Sequence, residues 1–344
     1  MAEMSVEERY KLVARNTQEI ITAEELKKLL AEKKQPSIYL GTAPTSTPHI
    51  GYFVWAQKMT DFANAGFRVK LLLADLHAAL DNTPWELVDA RYEYYKTVIP
   101  AIFKSLGADL SKIEIIKGSD YQLTKEYVYD LLKMSTHSSV NDAMRAASEV
   151  VKMGESPKLS GLIYPLMQSL DEEYLKVDAQ FGGLDQRKIL VFAREHLPKI
   201  GYARRIEIMS PLIPGLTASG KMSSSEPGSK IALQDDPRTV EKKIMSAYCP
   251  EKQIENNGII AFCKYVIMVQ KEDKKETFTI ERPEKFGGNA QYSNYSDLEA
   301  DFKSGKLHPQ DLKKAVAKEI NKLIEPIHKV LEGKEDIINK AYPA

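Results

Sequence analysis

The 344-residue sequence is poor in cysteine: Cys249 and Cys263 are the only two. Two thiols can build neither a disulfide framework nor a zinc cluster. They are expected to be buried or idle in a reducing compartment. Net charge is also missing, since 48 Lys and Arg balance 48 Asp and Glu. Residues from 230 onward hold 20 basic and 19 acidic side chains, so neither part is a basic field. Any nucleic-acid surface must then be local. No apolar run reaches the length needed to cross a bilayer. The first twenty residues are charged throughout and lack the apolar stretch of a signal peptide. A soluble cytoplasmic protein without membrane contact is the expectation. Neither G-x-G-x-x-G nor G-x-x-x-x-G-K-[ST] occurs, which disfavours a dinucleotide fingerprint and a P-loop. Internal repeats and low-complexity tracts are absent as well.

What is present is an alternation of short apolar strands and helices. Two helices are expected first, over about 5–16 and 23–33. "SIYLG" (37–41) then reads as a strand, "TAPTSTP" (42–48) as a loop, and 49–65 as a helix. "RVKLLLADL" (68–76) is continuously apolar at its centre, as in a parallel sheet covered on both faces. A helix over 84–106, the strand "KIEIIKGS" (112–119), and helix through 124–153 follow. The strand "KVDAQFGG" (176–183), a helix over 185–197 and the strand "RIEIM" (205–209) complete the pattern. Such alternation argues for a parallel α/β sheet, whose ligands bind beyond the carboxyl ends of the strands. From about 232 the sequence turns mostly helical, interrupted by an extended patch, "ETFTIERP" (276–283). A domain boundary is placed near 226–232.

The informative segments sit at the strand ends. In "TSTPHIGYF", Thr47 reads as an N-cap, Pro48 as the first helical residue and His49 as part of the first turn. There the backbone N–H groups attract anions, or His49 simply faces solvent. In "FGGLDQRK", Gly182 and Gly183 allow close backbone approach, and Asp185 could accept from sugar hydroxyls or merely cap a helix. Tyr164, Gln168 and Asp171 recur at i, i+4 and i+7, one face of a helix; that face either lines a site or meets water. "GKMSSSEPGSK" (220–230) suits neither strand nor stable helix, because its serines, Pro227 and Gly228 favour turns.

In this order, these motifs resemble those of the class I aminoacyl-tRNA synthetases. "PHIGY" (48–52) is similar to the HIGH signature and "KMSSS" (221–225) to KMSKS. "SIYLGTA", the block "GLIYPLMQSLDEEYLKVDAQFGGLDQRK" (161–188) and "PEKFGGN" (283–289) narrow the resemblance to tyrosyl-tRNA synthetases of the archaeal and eukaryotic-cytosolic type. The resemblance implies a Rossmann-like parallel-sheet catalytic domain over 1–231, with a helical dimerisation insertion at about 124–165 and the KMSSS loop at 220–226. A mostly helical anticodon-binding domain would occupy 232–344. It implies activation of L-tyrosine by ATP with Mg²⁺, then transfer of tyrosine to the terminal adenosine of tRNA(Tyr), by a homodimer that ligates no metal through its own side chains. His49, Lys221, Ser223 and Ser225 would be catalytic. Gly41, His49, Gly183, Asp185 and Met222 would hold ATP. Tyr39 and Asp171 would bind the substrate phenol, and Tyr164, Gln168 and Gln186 its amino group. His77 either lines that pocket or is an ordinary core histidine. Arg145 and Arg187 would read the acceptor stem, and Phe286, His308 and Asp311 the anticodon. The corresponding bland readings are surface ion pairs, a core Phe and a helix start.

Two departures stand out. Tyr52 replaces the second histidine of HIGH, and Ser224 the second lysine of KMSKS, so one positive charge near the phosphates is missing. Mg²⁺ carried by ATP, with K⁺ as a further candidate, would fill that role. Asp89-Ala90-Arg91 stands where animal relatives carry Glu-Leu-Arg, so no cytokine-like signalling is expected. The rivals are a tryptophanyl enzyme, an unrelated nucleotidyltransferase and a catalytically silent RNA-binding relative. Tyr39 with Asp171 argues against the first. "LHPQDL" and "KFGGN" would be unexplained by the second. Intact His49, Asp185, Gln186 and Lys221 argue against the third.

Overall fold

The computed structural model describes residues 4–151, 154–218 and 227–343. Helix α1 (Val6–Ala14) is followed by strand β1 (Glu19–Ile21), α2 (Ala23–Glu32), β2 (Ser37–Thr42) and α3 (Tyr52–Asn64). Next come β3 (Arg68–Leu73), α4 (Asp75–Leu80), α5 (Trp85–Ser105), β4 (Ile113–Lys117) and α6 (Ser119–Gln122). Then α7 (Lys125–Ser135), α8 (Val140–Ala147) and α9 (Leu159–Tyr174) precede β5 (Ala179–Gly183), α10 (Arg187–His196) and β6 (Ile206–Ser210). Beyond them lie α11 (Pro237–Ser246), α12 (Gly258–Phe262), α13 (Met268–Lys274), the strands β7 (Phe278–Ile280) and β8 (Ala290–Tyr292), and α14 (Tyr295–Ser304), α15 (Pro309–Leu331) and α16 (Glu335–Ala341).

Among the described residues six strands form one sheet, in the order β1-β6-β5-β2-β3-β4. All neighbours run parallel except β1, which lies antiparallel on β6. The order reverses between β2 and β5, so the connections leave these two strands in opposite directions. Their pairing is confined to Ile38–Ala179 and Tyr39–Gln180. Beyond that register the strand ends part and open a crevice, as at the switch point of doubly wound sheets.

Several local expectations need correction. The helix after the first loop begins at Tyr52, not at Pro48 or His49, and Thr47 does not cap it; Gly51 stands there without a side-chain cap. The cause is tertiary. Residues 48–50 run extended against 231–233, with Ile50 N–H donating to the Ile231 carbonyl at 3.0 Å and Leu233 N–H to that of Pro48 at 3.1 Å. The expected helix through 124–153 is broken, because Ser139 starts a new capping box with Asp142. Strand β7 falls in the extended patch expected at 276–283, whereas β1 and β8, its antiparallel partner, were not expected. Strands β1 and β8 have three residues each, too short for an alternating pattern to register.

The helical region after 231 does not stand apart. One apolar core runs from Val13, Phe53 and Ile102 to Phe262, Val316 and Ile327. Polar ties reinforce it. Arg15 bridges Asp61 of α3 at 2.5 Å and Asp273 of α13 at 2.6 Å. Gln270 donates to Gln57 at 2.5 Å. Both cysteines are free and buried. Beneath the crevice, in-register positions on one sheet face read Glu207, Gln180, Tyr39, Lys70 and Glu114. Glu207 and Glu172 of α9 are completely buried. Burial raises the Glu172 pKa to about 8, against the pull of Arg205 and Arg194. Burial and Glu172 together push Glu207 well up.

A folded-state pKa above the unfolded value means that the folded chain holds the proton more tightly. The stabilisation from Glu172 is therefore full below its ordinary value of 4.5 and is lost as pH rises toward about 8. Glu172→Gln should flatten the fall of melting temperature between pH 5 and pH 9 in calorimetry. An unchanged slope would contradict the assignment.

Candidate functional site

The crevice floor is built from β2, α4, α6, α7, α9 and the end of β5. Asp171, on α9, is entirely buried. Its Oδ1 accepts three hydrogen bonds, from Tyr121 Oη at 2.8 Å, Gln122 Nε2 at 2.8 Å and Tyr127 Oη at 2.9 Å. Its Oδ2 accepts none, and His77 Nε2, also unpartnered, lies 3.8 Å from it. Burial raises the Asp171 pKa to about 7, while the three donors hold it down from a higher value. Burial also lowers His77 to about 4, so its ring is neutral near pH 7. Tyr164 meets His77 edge to face, with ring centroids 4.6 Å apart. Tyr39 donates to the Gln168 carbonyl at 3.0 Å, and Gln168 Nε2 donates to Gln186 Oε1 at 3.1 Å. The fold thus brings Tyr39, His77, Tyr164, Gln168, Asp171 and Gln186 into one connected cluster. The face of α9 expected to line a site does turn inward.

The upper part of the crevice is formed by loops. A Cβ on Gly183 would lie 2.5 Å from Asp185 Oδ1, and one on Gly182 would lie 3.0 Å from Gln186. Both glycines leave room for the side chains of Asp185 and Gln186, which fold back over the strand end. Asp185 falls in a 3-10 turn (Leu184–Gln186), and α10 starts without a side-chain cap, so Asp185 does not cap that helix. A Cβ on Gly41 would meet only ordinary contacts, the nearest at 3.8 Å. Nothing within the protein demands glycine there, and the bare backbone leaves room for a ligand. His49 Nδ1 accepts from the Gly51 N–H at 3.2 Å, which leaves Nε2 to carry the proton of the neutral ring. Burial and Lys230 lower its pKa to about 4. The loop before it is anchored by Arg91 on the Thr45 carbonyl at 2.6 Å, and by Tyr95 and Tyr342 on that of Ser46 at 2.7 and 2.8 Å. Lys221, Met222, Ser223 and Ser225 lie outside the described residues.

Arg145 and Arg187 are exposed and paired, with Asp142 at 2.5 Å and with Glu19 at 2.7 Å. Phe286 is largely exposed, not part of the core. Arg282 ties its loop, through the Gly288 carbonyl, to the Lys306 carbonyl, just before His308 caps α15. Asp311 lies in the first turn of that helix. Among the described residues no group of three or more His, Cys, Asp or Glu could hold a metal ion, and no helix is long and apolar enough to cross a membrane.

Residues 31–325 match the family described as tRNA synthetases class I (W and Y). The chain belongs to this family. It is 49% identical over 341 residues to a cytoplasmic tyrosine–tRNA ligase of Gallus gallus, covering 98% of itself but 64% of that protein's length. It is 43% identical to a tyrosine–tRNA ligase of Natronomonas pharaonis, with 99% of both chains covered. The crystal structure of tyrosyl-tRNA synthetase complexed with L-tyrosine from Archaeoglobus fulgidus superposes with a TM-score of 0.89 at 41% identity, covering 95% of this chain and all of that one.

Sequence reasoning missed Tyr121, Gln122 and Tyr127, the residues that hold Asp171. They sit on short helices 44 to 50 residues before it, and no spacing rule connects them. Replacing Tyr127 by Phe removes a donor that favours the carboxylate, so the Asp171 midpoint should move up from about 7. Carboxyl ¹³C titration of labelled aspartate would record this shift. A midpoint that stayed put or fell would refute the role given to the donors.

Proposed function

We propose that the chain is a tyrosine–tRNA ligase. The observation that carries this reading is Asp171, whose Oδ1 is saturated and whose buried Oδ2 lacks a partner. A buried acceptor held this way calls for a ligand that brings its own O–H, which a phenol does. Tyr39 would complete the grip on that phenol. Tyr164, Gln168 and Gln186 would hold the amino group, with His77 against the ring. When phenylalanine enters such a site the carboxylate stays unpaired, a penalty of which tyrosyl enzymes are themselves the standing example.

The reaction follows from positioning. A carboxylate oxygen of tyrosine attacks the α-phosphorus of ATP, the bond to the bridging oxygen breaks, and pyrophosphate leaves with the electron pair. The terminal adenosine hydroxyl of tRNA(Tyr) then attacks the carbonyl carbon and releases its proton to solvent, the bond from that carbon to the phosphate oxygen breaks, and AMP leaves with the electron pair. No protein nucleophile is needed, so catalysis rests on orientation and on charge stabilisation. Gly41, Gly183 and Asp185 would hold the adenylate. Neutral His49 would donate from Nε2 to a phosphate oxygen, and Lys221 with Met222, Ser223 and Ser225 would close over the phosphates. Mg²⁺ would travel with ATP and K⁺ would add a counterion. Arg145 and Arg187 would meet the acceptor stem, and Phe286, His308 and Asp311 the anticodon. We place the catalytic domain at 1–231, the anticodon-binding domain at 232–344, and the enzyme in the cytoplasm.

A homodimer is part of the same reading. Leu123, Tyr129, Leu132, Val140 and Leu159 are each more than 60% exposed and cluster in the segment expected to form the interface. An apolar group of this kind marks an interaction surface. Leu132→Asp should convert the dimer to monomer in analytical ultracentrifugation; a monomeric parent chain would remove the proposal.

ATP–pyrophosphate exchange should proceed with tyrosine and not with phenylalanine or tryptophan. Asp171→Asn should lower it roughly 10- to 100-fold, the worth of a hydrogen bond to a charged group. No exchange with any amino acid, from folded protein, would overturn the enzyme reading. Unchanged exchange after K⁺ is replaced by a large organic cation would remove K⁺ from it.

A further inference from the structure

The sequence leaves a charge unaccounted for, because Ser224 stands where the family signature has its second lysine. A lysine elsewhere in the fold is placed to supply it. His49 and Ala232 face each other in an isolated antiparallel bridge, bracketed by the hydrogen bonds of Ile50 and Leu233. Opposed residues of an antiparallel pair project to the same side, and so do residues two apart on one strand. Lys230 is two residues before Ala232, which makes it the diagonal neighbour of His49, a separation that a lysine side chain spans. The two side chains lie close enough for the Lys230 charge to act on the His49 imidazole.

Among the described residues, the neighbouring charges are committed elsewhere. Asp235, the nearby carboxylate, accepts from Lys243 Nζ at 2.6 Å and from the Ala232 N–H at 2.9 Å. His49 Nδ1 is taken by Gly51. Among the described residues no hydrogen bond or ion pair is made to the Lys230 ammonium, although the residue is half-buried. Burial and Lys243 lower its pKa, with Asp235 opposing them. A half-buried cation without a partner is costly, and an anionic ligand beside it would relieve that cost.

We infer that Lys230 is a further catalytic residue, whose ammonium binds the β- and γ-phosphate oxygens of ATP beside His49. The inference rests on the tyrosine–tRNA ligase reading. As the carboxylate of tyrosine bonds to the α-phosphorus, the electron pair of the breaking bond passes to the bridging oxygen of the departing pyrophosphate. No proton moves. Lys230 stabilises that growing negative charge, more strongly in the transition state than in the bound nucleotide.

The test compares the parent chain with Lys230→Ala and Lys230→Arg by single-turnover adenylate formation and pyrophosphate exchange. Tyrosine binding and thermal melting serve as controls for folding. Loss of one preorganised phosphate donor is expected to slow adenylate formation about 10²- to 10³-fold in Lys230→Ala. Tyrosine affinity should stay unchanged, and the arginine variant should recover most of the rate. If Lys230→Ala forms adenylate within twofold of the parent rate, the inference is wrong and the charge comes from elsewhere, with K⁺ the first alternative. A slow variant that also loses tyrosine affinity would overturn it as well, since the defect would then be structural. A parent chain without exchange would instead bring down the ligase reading itself.

Discussion

The site exists because β2 and β5 pair at two positions and then part. Where a parallel sheet reverses its winding order, no crossover covers the gap between the two central strands. The residues of the candidate pocket are delivered to that gap. Strand β2 brings Tyr39 and Gly41. Strand β5 brings Gly183 and the turn that carries Asp185 and Gln186. Helix α9 lies along the same opening with Tyr164, Gln168 and Asp171. Full pairing of the two strands would close the crevice, and each of these residues would become an ordinary core or loop position.

Polar burial is the cost of that arrangement, and it is handled in two ways. Around Asp171 the donors are counted out on one oxygen, so the other is poised and unpaired. Beneath it, Glu172 and Glu207 are buried with neither carboxylate hydrogen-bonded. Burial shifts both toward the protonated form. The first group leaves one buried acceptor open beside the crevice. The second sets how the scaffold responds to pH. Lys70 completes the support, donating to the carbonyl of Leu175, the residue that ends α9, at 2.8 Å.

How far the sequence spoke for itself differed from element to element. Strands β2 to β6 were legible because each is a short, largely apolar run bounded by loop or turn residues. That Tyr164, Gln168 and Asp171 share one face of α9 was legible from their i, i+4, i+7 spacing; that the face turns inward came only from the fold. The start of α3 was not legible, since a Thr-Pro helix signal is overridden by pairing with residues 231–233, about 180 positions away in the chain. Helices α7 and α8 were read as one because propensity continues across Ser139, where a capping box with Asp142 divides them. Tyr121, Gln122, Tyr127 and Lys230 were invisible for one shared reason. Each matters through a partner that only the tertiary fold brings near, and no local pattern encodes that proximity.

The carbonyl of Ser46 accepts from Tyr95 and from Tyr342, and the second donor is 296 residues away in sequence. Synthesis on the ribosome proceeds from the N-terminus, so the sheet and its crevice can assemble long before residue 342 emerges. During that interval the loop leading to His49 has lost one of its three anchoring side chains. That loop is therefore among the last parts of the molecule to reach its final hydrogen bonding, although it precedes most of the chain in sequence.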